Sequence, residues 1–421
     1  MRLMRELSRM RCGHSPMRTS CRFLPEMADV FLLIQIIAKN GMTFNIKLQF
    51  HFYFCFATLP ALIREDRMTG KIGVAVIGAG AIGHTHIDTL GKMEEMRLAA
   101  LVDPAPSGRS LADTLGVPCM PDVAALIDSG LADAAIVATP NETHLPVSAA
   151  LLNAGIPVLL EKPVAESLES ALSLIGLAEK TGVPLLVGHH RRHNPIIRAA
   201  HAAIHGGKIG DLVMATVTCS LAKPSSYFEA AWRRAPGAGG PLLINLVHEI
   251  DLMRHFFGEV ASVQAIASHG RRGFAVEDTA AVALTFVKGG LATLCISDAA
   301  TGPWAWDLSA GENLARFPAH PVTAHHYAGS RAGLSLPDLT LWEPEGEPDW
   351  TRKLRPSKLA FEPADAYEAQ LAHFADLIRD GGAPLVSARD ATVNLIVLDA
   401  IRTAAERGET VTVDLSPLDT V

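Results

Sequence analysis

The sequence predicts an α/β domain followed by an α+β domain whose sheet is open and predominantly antiparallel. Three observations carry this expectation. The run Val74-Ala75-Val76-Ile77-Gly78-Ala79-Gly80-Ala81-Ile82-Gly83 reads as a buried strand, a tight glycine turn and the start of a helix. Continuous apolar runs then alternate with helical stretches to about residue 190, as strands covered on both faces do. Beyond that point, segments of strand character follow one another with few helices between them, which suits a second domain of α+β type.

The elements follow in order. Ile72–Ile77 is the first strand, and Ala81–Leu90 a helix with Gly91 near its end. Arg97–Val102 is the second strand, ending at Asp103; Ser110–Leu115 and Asp122–Asp128 are short helices. Asp133–Ala138 is a buried strand closed by Thr139-Pro140-Asn141, at the carboxyl edge where open α/β sheets bind ligands. His144–Asn153 is a helix, and Pro157–Leu160 a strand that delivers Glu161-Lys162-Pro163 to the same edge. Leu168–Lys180 and Val183–Val187 complete another helix and strand. In the second part, Leu212–Cys219, Val260–Ala267, Ala280–Phe286 and Gly290–Ser297 are strands, the last pair joined at Lys288-Gly289-Gly290. Helices at Pro195–His205 and Ile244–Phe257 are expected to cover one face, and those at Ala364–Arg379 and Ala388–Glu406 to return and brace the first domain.

Composition narrows the function classes. The 421 residues suffice for two domains, and 49% apolar with 19% charged residues marks a globular chain. A formal charge of −7 gives no general attraction to nucleic acid or anionic membrane. The six cysteines (Cys12, Cys21, Cys55, Cys119, Cys219, Cys295) show neither metal spacing nor a disulfide framework, which points to reduced thiols in a cytoplasmic protein. The first 67 residues differ: a start rich in arginine, then apolar runs too short for the roughly 20 residues that span a bilayer. They read as an extension foreign to the working protein, which would begin at Met68. The expected division is therefore 1–67 extension, 68–190 α/β domain with the glycine turn, 191–360 second, α+β domain, and 361–421 bracing helices and tail.

Particular residues suggest chemistry. Gly78 permits the tight turn, Gly80 lets backbone approach a pyrophosphate, and Gly83 lets helix and strand pack closely. Ala81 and Ile82 open the helix whose N-terminus offers amides and a positive dipole end to phosphates. Asp103 can accept from both ribose hydroxyls and would repel a 2′-phosphate, favouring NAD, although nearby Arg109 leaves NADP open. Thr139, Pro140, Asn141 and His144 lie where a nicotinamide ribose would pass. Lys162 ends a buried strand beside Glu161; partial desolvation there lowers its pKa and suits it to exchanging a substrate hydroxyl proton. In Gly239-Gly240-Pro241-Leu242-Leu243-Ile244-Asn245-Leu246-Val247-His248-Glu249-Ile250-Asp251, Asn245, His248 and Asp251 share a helical face. His248, oriented by Asp251, would be an acid/base; a structural histidine capped by Asp251 is the plainer alternative. The run His189-His190-Arg191-Arg192-His193 has no ligand geometry and reads as linker and pocket edge; His325-His326-Tyr327 is either pocket wall or surface. No metal site is expected.

Together the glycine turn, Glu161-Lys162-Pro163 and the segment ending at His248-Glu249-Ile250-Asp251 resemble the Gfo/Idh/MocA family, the glucose–fructose oxidoreductase and inositol 2-dehydrogenase group, over essentially all of 71–415. The resemblance implies a Rossmann domain binding NAD(P). It implies a second domain whose open sheet lays the substrate over the nicotinamide and forms the interface of a homodimer or homotetramer. Lys162 and His248 would assist hydride and proton transfer at a sugar or polyol carbinol, and His86 would follow the pyrophosphate loop. Tyr227, Trp232, Arg233 and Arg234 resemble the substrate-side loop, suited to a sugar or to a carboxylated or phosphorylated one. One departure stands out: where many members carry an Asp four residues before the histidine, this chain has Ile244, with Asn245 next to it as a candidate substrate contact. Two rival readings remain at this point, a glycoside hydrolase using transient oxidation by NAD and a sugar-sensing regulator without turnover.

Overall fold

The computed structural model describes residues 70–421. The expected extension with its start at Met68, and Cys12, Cys21 and Cys55, lie outside the described residues.

The first sheet contains β1 (Ile72–Ile77), β2 (Met96–Val102), β3 (Cys119–Met120), β4 (Ala134–Val137), β5 (Val158–Leu160) and β6 (Leu185–Val187). All are parallel, in the order β3-β2-β1-β4-β5-β6. Each of its central strands is buried on both faces, which is why they read as unbroken apolar runs. The connecting helices are α1 (Ala81–Leu90), α2 (Pro106–Leu115), α3 (Val123–Ser129), α4 (His144–Asn153) and α5 (Leu168–Thr181). Side chains stop α3 and α5 from fraying: Asp122 and Ser167 accept backbone N–H groups of their first turns, and left-handed Gly130 and Gly182 end them. The order of strands reverses direction between β1 and β4, and the crevice outside their carboxyl ends is where such a sheet takes a ligand.

The second sheet has nine strands in the order β14-β13-β12-β11-β7-β10-β9-β8-β15. They are β7 (Leu212–Ser220), β8 (Val260–Ser268), β9 (Thr279–Phe286), β10 (Leu291–Ser297), β11 (His325–Gly329), β12 (Gly333–Leu336), β13 (Thr340–Pro344), β14 (Leu354–Lys358) and β15 (Val411–Thr412). All neighbours are antiparallel except β7 and β10. Burial alternates strictly along β9, with Ala280, Val282, Leu284 and Phe286 inside. The longer helices of this part of the chain are α6 (Pro195–His205), α7 (Val247–Phe257), α8 (Ala366–Asp380) and α9 (Ala388–Arg407). Phe256 and Phe257 of α7 pack on Tyr327 of β11, and Phe257 also on Phe286 of β9. α9 lies along β8 and also against α5, so it touches both layers; α8 packs on α1.

Three expectations need correction. The helix expected at Ser110–Leu115 starts earlier, because Pro106 occupies its first turn, where a missing N–H costs nothing. The helix expected from Ile244 is a π-turn over Leu242–Leu246 before α-geometry begins at Val247. Six strands, β3 and β11 to β15, lie outside the expected set. β14 is exposed along its whole length and carries Pro356, so it shows no alternation to read.

Candidate active site

The site begins at the end of β1. Gly78 has φ +94°, and a Cβ there would sit 2.7 Å from the Ala138 carbonyl oxygen. Gly83 is still tighter: a Cβ would lie 2.0 Å from the Gly78 oxygen, so α1 meets the turn at backbone distance. Around Gly80, by contrast, a Cβ would touch nothing within 4 Å. Gly80 is the N-cap of α1 and supplies no side-chain cap, leaving the first-turn amides of a ten-residue helix facing that open space. An uncapped helix terminus with open space at Gly80 fits a dinucleotide pyrophosphate. Asp103 supports the same turn: its Oδ2 accepts from the Ala79 N–H (2.7 Å) and its Oδ1 from the Ala105 N–H (2.8 Å). Each oxygen keeps a second lone pair for a ribose hydroxyl.

At the carboxyl ends of β4 and β5, His144 is buried and joins the two strand ends. Its Nδ1 lies 2.8 Å from the Pro163 carbonyl oxygen and its Nε2 3.0 Å from that of Thr139. Both partners are acceptors, so a neutral ring donates to one at a time; burial pushes its pKa down, against both hydrogen bonds. The Thr143 hydroxyl completes the loop, 2.7 Å from both Thr139 Oγ1 and the Pro140 carbonyl, while Asn141 opens a single 3-10 turn. His86, expected beside the pyrophosphate, instead points inward: it is fully buried, with Nε2 2.8 Å from Glu161 Oε1. The Glu161 Oε2 accepts the Lys162 N–H at 3.2 Å. Burial opposes ionisation of Glu161, but the His86 hydrogen bond and the charges of His86, Lys162 and His190 together outweigh it and hold the carboxyl below its usual range. His86 and Glu161 thus form the underside of the lysine turn rather than a surface for the cofactor.

Lys162 precedes a cis Pro163 and reaches toward the π-turn, where its Nζ donates to the Ile244 carbonyl at 3.4 Å. Burial lowers its pKa; Glu161 opposes that and Arg191 adds to it. His248, on the first turn of α7, is 7% exposed, and its Nδ1 has no partner among the described residues. Burial, then the charges of Lys162 and Arg191, push its pKa well below the ordinary value, so the ring is neutral.

The expected orientation of His248 by Asp251 does not occur. Asp251 is taken by Arg192 through two hydrogen bonds (2.6 and 2.9 Å) and by Asn394 (2.8 Å). His248 is steadied by ring contact with His190 instead, edge-on at 5.4 Å between centroids, and His190 in turn stacks on Tyr367 at 4.5 Å. The run 189–193 is therefore not a linker at a pocket edge. It is a buried turn whose Arg191 binds Glu249 (2.7 Å) and Asp307 (3.1 Å), and whose Arg192 also reaches Asp390. Of the run 325–327, His326 is exposed at the surface, whereas His325 and Tyr327 are buried, with His325 Nδ1 2.8 Å from the Tyr327 hydroxyl and Nε2 3.3 Å from Glu249.

On the substrate side, the Arg233 guanidinium lies 3.9 Å over the Tyr227 ring and 5.2 Å over that of Trp232, which is half exposed. Arg233 Nη1 donates to the Tyr227 carbonyl at 2.6 Å. Arg234 lies over Phe274 instead. Asn245 meets a residue that the sequence reading missed: its Oδ1 accepts from Lys223 Nζ at 2.7 Å. A signal existed. Lys223-Pro224 follows a strand just as Lys162-Pro163 does. Among the described residues there is no group of three metal-ligating side chains.

This fold and site define a class, an oxidoreductase with an NAD-binding Rossmann domain, and residues 72–189 match the family described as "Oxidoreductase family, NAD-binding Rossmann fold". Residues 197–311 match the "GFO/IDH/MocA C-terminal domain". The chain belongs to the Gfo/Idh/MocA family and is an NAD(P)-dependent enzyme of the oxidoreductase class. Among its relatives, 1,5-anhydro-D-fructose reductase of Ensifer adhaerens is 29% identical over 264 residues, covering 60% of this chain and 71% of that protein. The scyllo-inositol 2-dehydrogenase (NAD(+)) of Bacillus subtilis is 26% identical over 61% of this chain and 71% of its own. The crystal structure of aldose–aldose oxidoreductase from Caulobacter crescentus, complexed with glycerol, superposes with a TM-score of 0.67 at 23% identity, over 81% of this chain and 99% of that one.

Proposed function

We propose that the protein moves a hydride between NAD(P) and a carbinol carbon of a sugar, polyol or related cyclic hydroxy compound, with Lys162 and His248 handling the proton. The observation that carries this is the convergence of Lys162 and His248 beside the π-turn, each held toward its neutral, proton-accepting form. The relatives named above, a sugar reductase and a polyol dehydrogenase, support the substrate class. When bound, the nicotinamide supplies the hydride acceptor or donor. The chain's own residues do the rest. Glu161 and His86 fix the turn that carries Lys162. In the oxidising direction the Lys162 amine or the His248 imidazole takes the hydroxyl proton as the carbinol becomes a carbonyl; in reduction either returns it. Ile244 offers only its backbone carbonyl, to Lys162, so no carboxylate stands in the place where many family members have an Asp.

Within this reading the amides of Gly80, Ala81, Ile82 and Gly83 hold the pyrophosphate, Asp103 the adenosine ribose in preference to a 2′-phosphate, and Thr139, Pro140 and Asn141 flank the nicotinamide ribose. His144 and Glu161 act by positioning. Tyr227, Trp232, Arg233 and Asn245 line the substrate side. Functional division falls at 68–190, 191–360 and 361–421. The face of the second sheet opposite its helices exposes Met214, Ile266 (76% exposed) and Leu291, and we assign it to contact between copies in a homodimer or homotetramer. Cys119, Cys219 and Cys295 are unpaired, and no described helix is long and apolar enough to cross a membrane, which suits a cytoplasmic enzyme that takes no nucleic acid.

The test is NADH formation across sugars and polyols, with NADP in parallel, for the parent chain and for Lys162→Ala and His248→Ala. The reading requires turnover that falls by about 10²–10⁴-fold in either variant while NADH still binds. Tight NADH binding with no turnover on any substrate would instead leave a sensor.

A further inference from the structure

We propose that Lys223 is a specificity-determining residue that binds an anionic group of the substrate, a carboxylate or a phosphate ester, with Arg233 beside it. The inference rests on the reading of Lys162 as the redox centre and deepens it by naming the substrate's charge.

The first support is placement. Lys223 stands three residues beyond the end of β7, and its backbone is clamped from two sides. Its N–H donates to the Asp298 carbonyl at 2.8 Å, and its carbonyl accepts from Arg272 Nη2 at 3.0 Å. Its Nζ donates to Asn245 Oδ1, while Lys162 Nζ donates to the carbonyl of the preceding residue, Ile244. Two amines from two different sheets therefore meet the same turn at successive residues.

The second support is charge balance. Among the described residues, Lys162, Lys223 and Arg233 have no carboxylate oxygen within 4.0 Å, although Lys162 and Lys223 are half-buried and the Arg233 Nε is wholly buried without a partner. The acids whose charge reaches the two lysines are engaged elsewhere, Glu161 with His86 at 2.8 Å among them. Asp298 binds Arg272 at 2.7 Å, and Asp307 binds Arg191 at 3.1 Å. Both free cations lie against one ring, with Lys223 Nζ 4.7 Å and the Arg233 guanidinium 3.9 Å from the Tyr227 centroid. Partly desolvated cations without a counter-charge are costly unless a ligand supplies it. The cofactor's phosphates belong at the glycine turn beyond β1, so the remaining negative charge falls to the substrate. Burial brings the Lys223 pKa down to about 8; the charges of Asp298 and Asp307 oppose that shift and Lys162 adds to it. An arriving anion raises it, so binding near that pH takes up a proton.

The experiment uses the full chain with saturating NADH and matched pairs of ligands: glucose with glucuronate, galactose with galacturonate, and glucose with glucose 6-phosphate. Affinity and proton uptake are read by calorimetry at pH 8 in two buffers of different ionisation enthalpy, and turnover is followed in parallel. At least one anionic member should bind about tenfold or more tightly than its neutral partner with proton uptake, and the uronate and phosphate arms show which anion is read. Lys223→Met should abolish both the preference and the uptake, and Lys223→Arg should restore the preference; unchanged NADH affinity certifies the fold of each variant. Equal or better binding of every neutral partner, or a preference that survives Lys223→Met, overturns the proposal. Preferential anion binding without any hydride transfer would sink the dehydrogenase reading alone.

Discussion

Replacing Gly83 and Gly80 by alanine, one at a time, separates the two tasks of the glycine turn. At Gly83 the new Cβ would lie 2.0 Å from the Gly78 carbonyl oxygen, well inside ordinary contact, so the turn and α1 must move apart by more than 1 Å. Overpacking of this kind costs about 1–3 kcal/mol of stability. The same movement pulls the first-turn amides off a phosphate, and losing hydrogen bonds to a charged group costs about 1.5–3 kcal/mol. That corresponds to roughly 10–150-fold in cofactor Kd. Gly80→Ala should behave differently. It has φ −75° and empty space around its Cβ position, so thermal stability should be unchanged or slightly higher. The methyl would nonetheless occupy the space assigned to the pyrophosphate, raising Kd by a similar factor. Thermal melts of the free protein and titration of NADH, followed by fluorescence, read the two quantities. A Gly80→Ala protein that binds NADH normally would show that the cofactor does not pass over this turn.

Other consequences can be checked independently. Asp251→Asn should leave the Arg192 guanidinium without its buried bidentate partner and destabilise the chain by about 3–5 kcal/mol, measured by denaturant unfolding, whereas Arg233→Met should leave stability within about 1 kcal/mol. His189 and His193 are buried with pKa values lowered by desolvation from 6.5 to about 4 and about 3. Unfolding lets them take up protons, so stability is complete above about pH 6.5 and should fall as pH drops toward those values, by about 1 kcal/mol per pH unit for each ring. His193→Gln should flatten that slope in melts taken across the range; an unchanged slope would remove His193 from the account. Asp103→Ser should raise the NADP-to-NAD ratio of kcat/KM by about tenfold, because it removes a negative charge facing the 2′-phosphate. Ile266→Asp should shift the assembly toward monomer in light scattering if the open sheet face joins copies.

What was legible in the sequence was local. The strand feeding Gly78–Gly83 could be read because a buried parallel strand has no polar residues to disguise it. α6 spans the expected Pro195–His205, since Asn194 caps it and Pro195 starts it. Lys162 stood out for its place at a strand end. The failures share a different cause. Asp251 looked like the partner of His248 because they are one helical turn apart, but Arg192, 59 residues away, offers a bidentate charge that a neutral ring cannot match. Arg192 itself reads as part of a linker and pocket edge, because its second partner, Asp390, is 198 residues distant. Lys223 is not legible because Asn245, whose side chain it meets, is 22 residues away on another element. β11 to β14 escaped because strands of four or five residues are too short to show a long apolar run, and the edge strand β14 is exposed throughout.

The position of α9 has a consequence for how the chain comes to be built. The Val187 N–H of β6, the outermost strand of the first sheet, donates to the Val386 carbonyl at 3.0 Å, two residues before α9 begins, and α9 then covers α5. A ribosome releases this half of the molecule some two hundred residues before it supplies those partners. The nascent cofactor domain must therefore wait with an open edge and an uncovered helix until nearly the whole polypeptide has emerged. Stalling or truncation just before Val386 should yield chains that chaperones hold and proteases cut, even though every residue assigned here to the cofactor has already been made.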